Sequence, residues 1–131
     1  MNLGTFGAIL RFAMELEEHA AVFYAAAAQT GAEAPFEDFA RGARKRLKRL
    51  ERARREGISE MILESITGLD GDHYLVSPGP GAGAAELPAL EEAASCFYRD
   101  AAAKLPIREV VRLFERLARE HERQRARLEE E

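Results

Sequence analysis

Cysteine is nearly missing from this chain. Among 131 residues there is one, Cys96, so no intramolecular disulfide and no four-cysteine metal knot can be built. β-branched residues are scarce outside a few short stretches, which leaves a composition suited to helices. No apolar run reaches the roughly 18 residues that a membrane span needs. The opening stretch MNLGTFGAILRFAMELEEH shows neither a basic leader nor a small-residue cleavage site, so a soluble chain in a reducing cytoplasm is expected. An excess of positive charge is missing too. With a formal net charge of −4 there is no global attraction to phosphate, and nucleic-acid binding would have to rest on one local patch.

What is present is helix-forming. Apolar residues make up 47% and charged residues 32% of the chain, and Ala, Leu, Glu and Arg dominate. A chain of this length buries a core without staples, and a single domain over 1–131 is the default expectation. The first periodic segment runs from about Thr5 to Gln29, with Phe6, Leu10, Ala13, Glu17, Ala20, Ala21, Tyr24 and Ala28 along one stripe. Glu17 lies within that stripe. Thr30-Gly31 ends the helix, and Pro35 suits the first turn of the next, which carries Phe36, Phe39, Ala40, Ala43, Leu47 and Leu50 on one face as far as Gly57. A third helix begins around Glu86 to Leu90, shows Glu91, Ala94, Tyr98, Ala101 and Leu105, and stops before Pro106. The fourth presents Ile107, Val110, Val111, Phe114, Leu117, Ala118, His121 and Leu128. Short connections make each consecutive pair antiparallel, giving hairpin one at about 5–56 and hairpin two at about 88–130.

The two hairpins repeat one another. Leu16-Glu17-Glu18, Ala20, Phe23-Tyr24 and Ala27-Ala28 recur in the same register as Leu90-Glu91-Glu92, Ala94, Phe97-Tyr98 and Ala101-Ala102. In the second helices Phe36-Glu37, Ala40-Arg41 and Arg49-Leu50-Glu51 match Phe114-Glu115, Ala118-Arg119 and Arg127-Leu128-Glu129. Between the hairpins lies a crossover over about 57–87: an amphipathic piece from Ser59 to Ser65, a turn at GLDGDH and the stretch SPGPGAGA. So long a loop in a compact domain calls for an explanation. A four-helix bundle that pairs two hairpins through one long crossover supplies it.

The repeated Glu-x-x-Ala-x-x-Phe-Tyr element, followed by a helix with Phe-x-x-apolar-Ala, resembles the half-site of the ferritin-like, rubrerythrin-like superfamily over nearly the whole chain, from about Phe6 to Leu128. The resemblance implies an all-α, ferritin-like four-helix bundle of short form, without the cysteine-bound iron module that many rubrerythrins carry. It also implies a homodimer. In that family each hairpin gives one carboxylate from its first helix and a Glu-x-x-His pair from its second, converging on two metal ions. Carried over, Glu17 and Glu91 match the first-helix carboxylates. The Glu-x-x-His positions are held by Ala43 and Arg46 in hairpin one and by His121 and Gln124 in hairpin two. Tyr24 and Tyr98 match tyrosines that in the family reach toward the ligands.

A di-iron centre needs several anionic oxygen donors, and a guanidinium, which stays protonated, opposes a metal. Three readings of Glu17 and Glu91 follow: solvation at the edge of the stripe, pairing with Arg46, or metal ligation with His121. The leading expectation is that Arg46, paired with Glu17 or Glu91 and joined by His121 and Gln124, replaces the metals. The protein is then a degenerate relative that serves as a structural or regulatory bundle without a cofactor. The alternative is an iron or other divalent-metal protein with weak oxidoreductase or iron-handling activity, using Glu17, Glu91 and His121.

The remaining signals have plainer readings. His19 and His73 are expected at the surface, and Cys96 reads as a small buried hydrophobe beside Phe97. Tyr24 and Tyr98 are core aromatics whose hydroxyls need a neighbour. The run from Arg41 to Arg55 holds nine Lys/Arg against one acid, Glu51, and could meet phosphate backbones. Its charges read as spread round the helix with no aromatic among them for stacking, so a solvated face paired with acids, such as those of Glu115 to Glu131, is preferred and nucleic acid is not the expected partner.

Overall fold

In a computed structural model the protein is described over residues 3–29, 35–57, 66, 68–74 and 87–129. These residues form four α-helices, α1 (Phe6–Gln29), α2 (Phe36–Gly57), α3 (Leu87–Ala102) and α4 (Arg108–Glu129), and one 3-10 turn, Gly71–Tyr74. No strand occurs among them. The helices fall into two compact units: one holds α1 and α2, and the other holds α3, α4, the 3-10 turn and the extended residues Leu3 and Gly4. Each is a hairpin, α1 packed on α2 and α3 packed on α4. The Ser59–Ser65 piece and the Pro/Gly stretch of the crossover lie outside the described residues.

Local chemistry sets the helix ends. Thr5 caps α1: its Oγ1 accepts the Ala8 N–H at 3.0 Å and its carbonyl accepts the Ile9 N–H at 3.0 Å, satisfying donors that a helix start leaves open. Pro35 has no N–H to lose, and its carbonyl accepts from Phe39 at 2.9 Å. Glu37 and Asp38 stand in the first turn of α2 and Arg54 and Arg55 in its last, each sign complementing the helix dipole. Helix α3 ends at Ala102, earlier than a stop immediately before Pro106. The chain leaves in a tight turn in which the Lys104 and Leu105 N–H groups both donate to the Ala101 carbonyl, at 3.0 and 3.1 Å. The physical reason is that Pro106 pushes the residue before it out of helical conformation, so the last turn must tighten earlier.

The apolar stripes reappear as cores. In hairpin one Phe6, Leu10, Ala13, Ala20, Ala21, Tyr24, Phe39, Ala40, Ala43 and Leu50 are buried, joined by Ile9 and Phe12; Ala28, Phe36 and Leu47 are only half-buried. In hairpin two Ala94, Tyr98, Ala101, Leu105, Ile107, Val110, Phe114, Leu117 and Ala118 are buried, together with Phe97, while Val111 and Leu128 are half-covered. Aromatic contacts fix both antiparallel registers. Tyr24 meets Phe36 and Phe39 at centroid distances of 6.0 and 5.2 Å. Its repeat counterpart Tyr98 meets Phe114 edge-on at 5.1 Å.

The second unit carries extra structure. The Leu3 N–H donates to the Leu69 carbonyl at 3.1 Å and the Ile66 N–H to the Gly4 carbonyl at 2.9 Å, and Leu3 and Leu69 are buried. Asp70 Oδ1 accepts the Asp72 N–H at 3.0 Å, a bond that holds its carboxyl below the ordinary range. Tyr74 packs on Phe97 and donates its hydroxyl to Asp100 Oδ2 at 2.6 Å. Burial, then the Asp100 charge, raise its phenol above the usual value. The expected surface positions of His19 and His73 are what the structure shows. Cys96 is half-buried, not enclosed, because it stands at the edge of the α3 stripe, one position before Phe97.

Removing the Thr5 cap with Thr5→Ala is expected to destabilise hairpin one by about 1 kcal/mol, read as a lower urea midpoint in circular dichroism; an unchanged midpoint would show that the cap contributes nothing.

Candidate functional site

Each hairpin encloses one carboxylate from its first helix and satisfies it from its second. In hairpin one Glu17 is 0% exposed and Arg46 is 1% exposed, and Arg46 Nε donates to Glu17 Oε1 at 2.9 Å. This removes the reading in which Glu17 sits solvated at the stripe edge, and it resolves the open choice of a partner for Arg46 in favour of the carboxylate of its own hairpin. Ala43, one turn before Arg46, is fully buried and supplies no donor. Its small side chain leaves the long arginine stem as the polar element of that face.

In hairpin two Glu91 is likewise buried, at 1% exposed, so the solvated reading fails here as well. Gln124 Nε2 donates to Glu91 Oε1 at 3.0 Å, and His121 Nδ1 lies 2.5 Å from Glu91 Oε2. With Glu91 ionised, this contact takes the His121 form that has its proton on Nδ1. The imidazole is stacked on the Tyr98 ring, with centroids 5.6 Å apart and planes 19° from parallel, which fixes its orientation. Arg46 and Gln124 occupy equivalent places in the repeat, and each donates to the Oε1 atom of its hairpin's glutamate. The internal repeat is thus kept in a hydrogen bond as well as in apolar pattern, with the donor charged in one copy and neutral in the other.

The candidate residues divide accordingly. Glu17 with Arg46 and Glu91 with His121 and Gln124 come together within their hairpins. Tyr24 and Tyr98 are buried, at 0% exposed, and Tyr98 has a stacking contact with His121. Among the described residues no group of three His, Cys, Asp or Glu side chains is placed to hold a metal ion. The donor chemistry explains this: one carboxylate has a guanidinium against it, and the other has both oxygens engaged by protein donors. The residues present do not fit a di-iron centre.

A second, exposed set was not legible in the sequence. Arg99 Nη2 meets Glu122 Oε1 at 2.6 Å and Ser95 Oγ at 3.1 Å, and Arg125 bridges Glu92 and Glu129 at 3.3 and 3.1 Å. Ser95 is buried and its hydroxyl donates to the Glu92 carbonyl. Glu122 and Glu129 thus meet arginines of their own hairpin. The recurrence of Glu92 and Arg125 next to Glu91 and Gln124 was the available signal. These rows are stabilising edges of the hairpin, since exposed pairs contribute only about 0–1 kcal/mol each.

The described residues define a class: an all-helical protein with two antiparallel hairpins, each with a buried glutamate bonded across the hairpin. Compared with family models, with curated proteins and with solved structures, the chain gives no match in any of the three.

Truncating one partner of the Glu17–Arg46 pair strands a buried charge, so Arg46→Ala is expected to cost about 3–5 kcal/mol. Replacing both partners by apolar side chains, Glu17→Leu with Arg46→Met, should recover most of that loss. Denaturant unfolding of the two variants decides the matter, and a double variant less stable than the single one would contradict the pairing.

Proposed function

We propose that this chain is a ferritin-like, rubrerythrin-like four-helix bundle whose metal ligands have been exchanged for hydrogen-bonded and charge-matched side chains, and that it serves as a structural or regulatory protein and not as a di-iron oxidoreductase. The homodimer is its assembled form in this reading. One observation carries it: Arg46, at the position where the family's pattern has histidine, is buried with its guanidinium 2.9 Å from the Glu17 carboxylate. A fixed positive charge beside a would-be ligand repels a cation and neutralises the anionic donor the cation requires. The second carboxylate supports the same reading, since His121 and Gln124 engage both Glu91 oxygens. Fold likeness alone would not decide function, because one fold hosts many activities; the side chains at these positions do.

The test is metal content by plasma mass spectrometry on protein purified without an affinity tag, before and after anaerobic loading with ferrous iron. Alongside it, an Ala43→Glu/Arg46→His variant restores the family's pair in hairpin one. Substoichiometric iron in the natural protein and a gain of iron in the variant are expected. Stoichiometric iron in the natural protein, lost in Glu17→Ala, would overturn the proposal and point to oxygen or peroxide turnover.

A further inference from the structure

The basic run of α2 is sorted by the fold in a way its sequence conceals. Arg46 is turned inward and buried, and Arg49 is half-buried, whereas Arg41, Arg44, Lys45, Lys48, Arg52 and Arg55 are exposed. Arg41, Lys45, Lys48, Arg52 and Arg55 follow one another at steps of three or four residues, the spacing that places side chains on one face about 5–6 Å apart. At about 1.5 Å per residue the row is about 21 Å long. It lies opposite the buried face made by Phe39, Ala43, Arg46 and Leu50. Arg41 meets Asp38 at 3.2 Å and Arg52 meets Glu56 at 3.9 Å, exposed pairs that water and salt loosen readily. Arg44, Lys45, Lys48 and Arg55 take part in no ion pair among the described residues.

We infer that this outward row of α2 is a docking surface for the phosphate backbone of duplex nucleic acid, bound without regard to sequence. The row is flanked by the exposed Arg44 and Arg54, and its length spans about six phosphates of one duplex strand. A membrane surface fits less well. Acids stand at both ends of the row, Glu37 and Asp38 before it and Glu56 after it, and the exposed large hydrophobic residue among the described ones, Val22, lies on α1, so α2 has no apolar anchor to enter lipid. The α4 helix of a second copy offers no purely acidic strip either, because its exposed residues mix Arg112, Glu115, Arg116, Arg119 and Glu122. Phe39 is buried and Phe36 half-buried, so the face has no aromatic platform for unpaired bases, which directs it to a duplex. The global charge of −4 does not forbid this, since at ordinary salt a charge beyond about 8 Å is largely screened. The inference is independent of whether the hairpin interiors hold metal.

The test is fluorescence anisotropy of a short labelled DNA duplex of arbitrary sequence, titrated with the full chain at several salt concentrations. Engagement of about four phosphates predicts roughly a hundredfold loss of affinity between 50 and 200 mM salt. Lys45→Gln/Lys48→Gln should flatten the salt slope by about two, and Lys45→Glu/Lys48→Glu should abolish binding. Arg112→Gln/Arg116→Gln on α4 should leave it intact. All four positions, Lys45, Lys48, Arg112 and Arg116, are solvent-exposed, and an unchanged helical circular dichroism signal confirms that the variants fold. Absence of duplex binding at 50 mM salt, equal binding by natural protein and row variants, or binding to phosphatidylserine vesicles in place of duplex would each overturn the inference.

Discussion

A carboxylate inside a helical hairpin must be met by a donor, because an ionised group removed from water without compensation costs more than the stability of a small domain can bear. Glu17 and Glu91 impose that requirement twice. Each sits within a buried stripe made mostly of apolar side chains, and each is fully enclosed. The second helix of each hairpin must therefore present a polar hydrogen at one height along its axis, which fixes the axial offset between helices as firmly as the aromatic contacts do. Arg46 does so in one hairpin, and His121 with Gln124 do so in the other.

The two solutions differ in their charge. A guanidinium opposite Glu17 gives a neutral pair that keeps its full charge separation over the range where Glu is ionised. An amide and an imidazole opposite Glu91 give a site whose net charge depends on the state of His121. Neither is a strong argument for stability by itself, since a buried ion pair often contributes no more than an apolar replacement would. Both specify register, because a hairpin shifted by one turn leaves a buried carboxylate without its donor.

The four helices were legible in the sequence. Helix periods, the turn at Thr30-Gly31 and Pro35, and the stop near Pro106 are local properties, and the observed helices begin and end within a few residues of them. Helix α3 ends at Ala102, a few residues ahead of Pro106, in the tightened turn at Ala101 to Leu105. The half-burial of Phe36, Leu47, Val111 and Cys96 was not legible, because it depends on how far a neighbouring surface extends. A stripe read from sequence has no edge.

The sequence by itself determined the two hairpins and the identity of the polar groups within their apolar stripes, since these rest on spacing along one chain. Only the tertiary structure decided which donor meets which carboxylate. It also separated the nine cations of Arg41 to Arg55 into the buried Arg46, the half-buried Arg49 and seven exposed side chains, five of them in one row. The physical reason is the same for both: a pairing across two helices depends on their rotation about their own axes and on their axial offset. Those are set by the packing of Tyr24 against Phe39 and Tyr98 against Phe114, not by any residue's neighbours in sequence.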